Sequence, residues 1–174
     1  ERKKDEDGLT VLDGATTSFG SSSTTLTSGH ISAATYQISS NTTEPGNPPY
    51  RCVLHGFQIK DISDEITAGI GTYPVGEGLT ARVFAEKFQG MVSGAQIYED
   101  GNITITSNAA KGGVFAQEAI VCVQGRAPRT ATVRREDIGG GATVVYLYDE
   151  YAYGERSAGN WLFEIHSDAT APTS

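Results

Sequence analysis

The sequence predicts a mixed α+β chain, and three observations carry that reading. Two long strand-like runs, residues 119–136 and 142–156, alternate polar with apolar or aromatic residues on either side of the break Ile138-Gly139-Gly140-Gly141. Two stretches, 28–40 and 56–66, carry isoleucines at helical spacing. Short apolar runs at 50–55 and 161–165 read as buried strands. The paired long runs exceed the usual strand of ~5–6 residues, and a two-stranded ribbon of that length is marginal by itself. It is therefore expected to lie against another element or a neighbouring molecule.

Length and composition bound the possibilities. With 174 residues, of which 38% are hydrophobic and 20% charged, the chain has enough material for one packed domain, or for one domain with an appendage. No apolar run approaches the ~20 residues of a membrane helix. The charged start, residues 1–7, lacks the apolar core of a signal peptide and is expected to mark a cleavage point or fragment boundary. A formal net charge of −8 argues against a broad surface for nucleic-acid phosphates. Cys52 and Cys122 both sit in apolar strand-like runs, so both are expected to be buried, reduced thiols. Asn41-Thr42-Thr43 and Asn102-Ile103-Thr104 match the glycosylation pattern, which carries no weight without secretion.

In chain order, residues 1–25 are polar and read as a loop anchored by Leu9, Val11, Leu12 and Phe19. Thr25-Leu26-Thr27-Ser28 supplies a helix start, with Ile31, Ala34, Thr35 and Ile38 on one face. That helix ends before Glu44-Pro45-Gly46-Asn47-Pro48-Pro49, which no helix could cross. In the second helix Ile59, Ile62 and Ile66 form the stripe, and the glycine-rich segment 67–78 follows as a loop. Residues 79–88 are expected to form a further helix. Gln96-Ile97-Tyr98 and Ile103-Thr104-Ile105 flank Glu99-Asp100-Gly101-Asn102, which predicts a hairpin. Residues 161–165 supply the last strand, ahead of a polar tail.

The search for chemistry finds no coherent site. His30, His55 and His166 have no metal-motif spacing. Asp149 and Glu150 are strand neighbours whose side chains point to opposite faces, so they cannot work as an acid/base pair. Gly69-Ile70-Gly71 fails the dinucleotide fingerprint because Pro74 takes the third glycine's place. No Gly-x-Ser-x-Gly is present. The expectation is no enzyme and no cofactor or metal.

The collinear order of segments carries a resemblance. Asp5-Glu6-Asp7-Gly8-Leu9 opens a Thr/Ser/Gly-rich segment ahead of the 28–40 helix. Pro49-Tyr50-Arg51-Cys52-Val53-Leu54-His55 follows, with Gln58 and Asp61, then Gln96-Ile97-Tyr98 and Lys111-Gly112-Gly113-Val114-Phe115. Glu118-Ala119, the arginines from 126 to 135, and Asp149-Glu150-Tyr151-Ala152-Tyr153-Gly154-Glu155-Arg156 complete the order. Taken together, residues 5–168 resemble the C-terminal half of a tailed-bacteriophage major capsid protein of the Hong Kong 97-type fold. Gly56 and Ala95 depart from that family's usual pattern.

The resemblance implies an α+β fold with an axial (A) domain over 1–110, peripheral (P) domain strands over 111–160, and a C-terminal strand and tail over 161–174 that returns to the A domain. The family's N-terminal arm, extended hairpin and spine helix would precede this stretch. The implied function is a shell subunit assembling into pentamers and hexamers around a genome, located in the virion and in host cytoplasm during assembly. Implied partners are further copies, the polypeptide N-terminal to this stretch, and scaffold, portal or decoration proteins, with no sequence-specific nucleic acid and no membrane. A cellular nanocompartment shell of the encapsulin type is the alternative on the same fold, and a secreted β-rich binding module or small hydrolase is a third reading. Two surfaces are implied. Arg126, Arg129, Arg134, Arg135, Glu136, Asp137, Asp149, Glu150 and Glu155 would pair between subunits, and the loop with Gly69, Gly71, Tyr73, Pro74, Gly76 and Gly78 would lie near the capsomer axis. Cross-linking through the 135–144 turn is not expected, because Glu136-Asp137-Ile138-Gly139-Gly140-Gly141 stands where the family's acceptor asparagine would be.

Overall fold

The computed structural model describes residues 2–15, 17–72, 90–157 and 159–172. They fall into two units, Glu1–Ile120 with Glu155–Ser174, and Val121–Gly154.

The larger unit opens with α1 (Arg2–Asp13), where the sequence predicts a loop. Charge and composition hide this helix, since Gly8 weakens it and its apolar stripe is short. Tertiary packing supplies the missing stabilisation: Leu12 is buried and its Cδ2 lies 3.0 Å from where a Cβ on Gly113 would sit. Then come β1 (Ser18–Gly20) and α2 (Ser28–Ser39), whose buried face is Ile31, Ala34, Thr35 and Ile38 as the periodicity predicts.

After the turn cluster, β2 (Tyr50–Leu54) leads into α3 (Gly56–Thr72). The helix runs six residues past Ile66, so Gly69 and Gly71 are helical rather than in a loop. The isoleucine period continuing to Ile70 outweighs the two glycines. The expected helix at 79–88 and the loop positions Tyr73, Pro74, Gly76 and Gly78 lie outside the described residues.

Strands β3 (Met91–Val92) and β4 (Ala95–Glu99) form a tight hairpin through Ser93 and Gly94, both at positive φ. The expected hairpin of β4 with residues 103–105 does not form. Asp100 does make the predicted turn, its carboxylate accepting from Asn102 N–H at 2.8 Å. The chain then leaves, because β4 already pairs along its length with β2 and at its start with β3. Ile103 is buried instead against Ala110 and Ala169.

Strands β5 (Ala109–Phe115) and β8 (Leu162–Asp168) complete a six-stranded mixed sheet in the order β1-β8-β5-β2-β4-β3. The last strand therefore lies between β1 and β5, within the sheet. The boundary expected at residue 110 is displaced: residues 111–115 belong to the larger unit, where β5 pairs on one side with β2 and on the other with β8.

Cross-strand register explains which residues are inside. Cys52, Leu54, Ala95, Ile97, Val114, Phe163 and Ile165 join the helical Ile31, Ala34, Ile38 and Ile62 in one cluster. On the opposite side of the β2 and β4 pleats Arg51, Gln96 and Tyr98 are exposed. Burial pushes the Cys52 thiol far above its usual range, which keeps it inert.

The smaller unit is a two-stranded sheet of β6 (Ile120–Arg135) and β7 (Ala142–Glu155). Its short connection leaves no room for a crossover, so the strands run antiparallel. Gly139, Gly140 and Gly141 all take positive φ in that connection, a backbone path closed to most side chains. No residue of the smaller unit is buried within the chain. Cys122 is accordingly exposed, against expectation: its apolar neighbours lie on a two-stranded sheet, which has too few strands to enclose them by itself.

Candidate functional site

Alternation along β6 and β7 gives each face of the ribbon both charged and apolar side chains. On β7 one face holds Val145, Leu147 and Asp149, and the other Val144, Tyr146, Tyr148 and Glu150. Leu147 is 72% exposed and Val145 62%, while Tyr146 and Tyr148 on the opposite face are exposed and stack with ring centroids 6.2 Å apart. Val123 of β6 is also 62% exposed. Large apolar residues are thus presented on both faces at once.

The charged residues have partners within the ribbon. Arg126 Nε lies 3.2 Å from Glu150 Oε2, and the Arg129 guanidinium sits 5.2 Å from the Tyr148 ring centroid. Gln124 donates to Asp149 at 3.3 Å. At the turn each arginine meets the acid two residues on. Arg134 Nε is 3.4 Å from Glu136, and Arg135 grips Asp137 with Nε at 3.1 Å and Nη2 at 2.6 Å. The Arg135 hydrogen bonds hold the Asp137 carboxyl below the usual carboxylate range.

All nine predicted pairing residues thus lie on β6, β7 or the turn between them, and the structure pairs most of them within one chain. Glu155 belongs to the larger unit, where it accepts from Gly159 N–H at 2.9 Å. Sequence reasoning put weight on the arginines and passed over Val145 and Leu147, although the alternation around them is visible. Magnitudes reverse that weighting: exposed ion pairs contribute ~0–1 kcal/mol, whereas covering a Leu or Val side chain contributes ~1.5–3 kcal/mol.

Two further clusters in the larger unit fix the sheet. Lys111 of β5 bridges Asp13 at the end of α1 (2.7 Å) and the nearly buried Glu164 of β8 (3.5 Å), which also accepts from Ser18 Oγ at 3.0 Å. The hydrogen bond to Asp13 is the main cause that holds the Lys111 ammonium above its ordinary range. Where the chain enters β8, Trp161 Nε1 donates to the Glu44 carbonyl at 2.9 Å, and Arg156, ion-paired with Glu118, lies over the indole ring. None of these contacts is readable from spacing, because each joins segments far apart in the chain.

Among the described residues no group of three or more His, Cys, Asp or Glu side chains could hold a metal ion, and no helix is long and apolar enough to cross a membrane. The three histidines are spread over separate elements. His30 and His55 stand at helix starts, and His166 is on β8, beside α1 and Lys111.

No family model matches the chain, and no curated protein matches it. Solved structures do. The chain superposes on the capsid of Helicobacter pylori bacteriophage KHP30 with a TM-score of 0.63 at 9% identity, covering 97% of this chain and 66% of that one. For Mycobacterium phage Che8 the TM-score is 0.68 at 16% identity, covering 94% and 58%. For the holo-SrpI encapsulin complex from Synechococcus elongatus it is 0.61 at 12% identity, covering 99% and 63%. The fold is therefore the Hong Kong 97-type shell fold, and the chain spans under two thirds of the length of these neighbours.

Proposed function

We propose that this chain is a structural part of a bacteriophage capsid subunit, which assembles with copies of itself into a closed shell. The observation that supports it most is the pairing of that fold with a ribbon that presents exposed large apolar side chains on both faces. In this reading the larger unit is the A domain and the ribbon the P domain. The ribbon lies where subunits meet, with Leu147, Val145, Tyr146 and Tyr148 supplying contact area and Arg126, Arg129, Arg134, Arg135, Glu136, Asp137, Asp149 and Glu150 setting register. Ion pairs formed within the ribbon can be exchanged or shared when a second ribbon arrives, at little cost because they are exposed. Multiplicity strengthens the argument, since a weak contact repeated around a shell adds up.

The role is structural rather than enzymatic. Pentamers and hexamers, the virion as location, host cytoplasm during assembly, and scaffold, portal or decoration partners complete the proposal. So does a place near the capsomer axis for the segment after Ile66, with its helical first part. Electron microscopy of the complete gene product tests the reading: closed isometric particles support it, and a monodisperse monomer at high concentration contradicts it.

The encapsulin likeness favours a second reading, a nanocompartment shell holding protein cargo. Particle contents separate the two. Packaged DNA fits a capsid, and a co-purifying cargo enzyme with no nucleic acid fits a compartment.

A further inference from the structure

We infer that His30 and His55 act together as an acid-sensitive lock on the N-termini of α2 and α3. Each closes a helix start with a ring nitrogen that works only while unprotonated. His30 Nδ1 accepts the Thr27 backbone N–H at 3.2 Å and lies 2.8 Å from the Thr27 hydroxyl, taking the place that Glu or Gln holds in a capping box. His55 immediately precedes α3, and its Nδ1 accepts the Phe57 backbone N–H at 3.2 Å.

A backbone amide can only donate, so both Nδ1 atoms must carry a lone pair. Protonation turns each acceptor into a donor and removes the cap. It also places a positive charge at the positive end of a helix dipole. The two effects have the same sign at both helices. Histidine is the side chain whose ordinary charge change falls in the mildly acidic range. Ile31, Ala34 and Ile38 of α2 and Ile62 of α3 share one buried cluster with the sheet, so loosening both helix starts is felt in one core.

The surrounding charges temper the effect without replacing the lost bonds. At α2, Glu65 of α3 accepts Ser28 N–H at 2.7 Å, and Asp61 accepts the Leu26 amide with Asp168 nearby. Gly20 of β1 packs beside the His30 ring and is in register with His166 of β8. At α3, Glu99 of β4 lies against Gly56, with Asp100 next to it bonded through its amide to Leu54, and the Phe57 ring meets the His55 ring edge-on at 4.7 Å. The Glu65 and Glu99 carboxylates attract an imidazolium, but neither accepts the Thr27 or Phe57 amide. Asp61 works in the opposite direction, because its desolvated carboxyl gains from protonation.

Nitrogen-15 NMR of the chain at about pH 8 and about pH 5.5 tests the lock. The lock requires both Nδ1 atoms unprotonated at the higher pH. It also requires roughly fivefold faster exchange of the Thr27 and Phe57 amides at the lower pH, after correction for intrinsic exchange. The double variant His30→Gln with His55→Asn supplies acceptors that do not titrate, so its urea midpoint should shift much less between the two conditions than that of the natural chain. Protonated Nδ1 atoms at the higher pH, unchanged amide protection, or equal midpoint shifts in both proteins would overturn the inference. If the variant fails to fold, the amide measurements on the natural chain decide.

Discussion

Gln58 donates a 2.7 Å hydrogen bond to the Ser167 hydroxyl and a 3.1 Å bond to the Ala110 carbonyl, tying the first turn of α3 to β8 and β5 in a buried site. Its Oε1 accepts the His55 amide at 3.1 Å, so the side-chain amide is satisfied on both ends. Gln58→Leu strands several buried groups at once. The expected loss is ~1–3 kcal/mol, read from urea unfolding. An unchanged midpoint would show that water substitutes for the glutamine.

Gly112 is fixed by close approach rather than by backbone conformation. A Cβ there would stand 2.3 Å from the Val53 carbonyl and 2.9 Å from Leu54 Cδ2. Gly112→Ala should destabilise the chain by ~1–3 kcal/mol, because β2 and β5 must separate. Thermal unfolding beside a Gly101→Ala control, where nothing lies within 4 Å, isolates the effect.

The contrast between these two residues shows what the sequence could tell. The ribbon, α2 and the last strand were legible because their apolar residues repeat at strand or helix period. The Gln58 and Gly112 contacts join β5, β8, β2 and α3, and no local pattern encodes them. Helix α1 was illegible for the same reason: Leu12 needs Gly113, a hundred residues on, to become a core residue. Of the candidate site, the arginines stood out by charge, but their intrachain partners and the two-sided exposure of Leu147 and Tyr148 required the register of β6 with β7. Cys122 misled because its local sequence looks buried while the two-stranded sheet that carries it leaves it exposed.

Asp61 carries a pH dependence with a defined sign. Burial foremost, and Asp168 nearby, push its carboxyl above the ordinary range, while the Leu26 amide pulls it down. A carboxyl raised in the folded state contributes stability that is present below the ordinary carboxylate value and is lost as pH rises through the folded one. Asp61→Asn keeps an acceptor for Leu26 and removes the desolvated charge. The variant should be more stable than the natural chain at about pH 7, and the difference should vanish at about pH 3. A difference that is equal at both values would contradict the assignment.

The relative weight of apolar and charged contacts is separable. Leu147→Ser should leave the larger unit folded by circular dichroism and thermal unfolding, since Leu147 lies in the smaller unit and is not buried there. Particle yield should fall at least tenfold, because each contact loses ~1.5–3 kcal/mol of burial. Reversing Arg134 and Arg135 together to Glu should slow or misdirect assembly and make it more sensitive to salt, with a smaller loss of yield. Equal yields for both variants and the natural protein would remove the ribbon from the contact.

The central claim is that β6 and β7 lie where copies of the subunit meet. A reconstruction of the assembled particles that resolves side chains tests it most directly. The account predicts density from another copy of the subunit against Leu147 on one face or Tyr148 on the other, with the Arg126–Glu150 pair at the seam. Particles whose ribbons stand in solvent on both faces would contradict it.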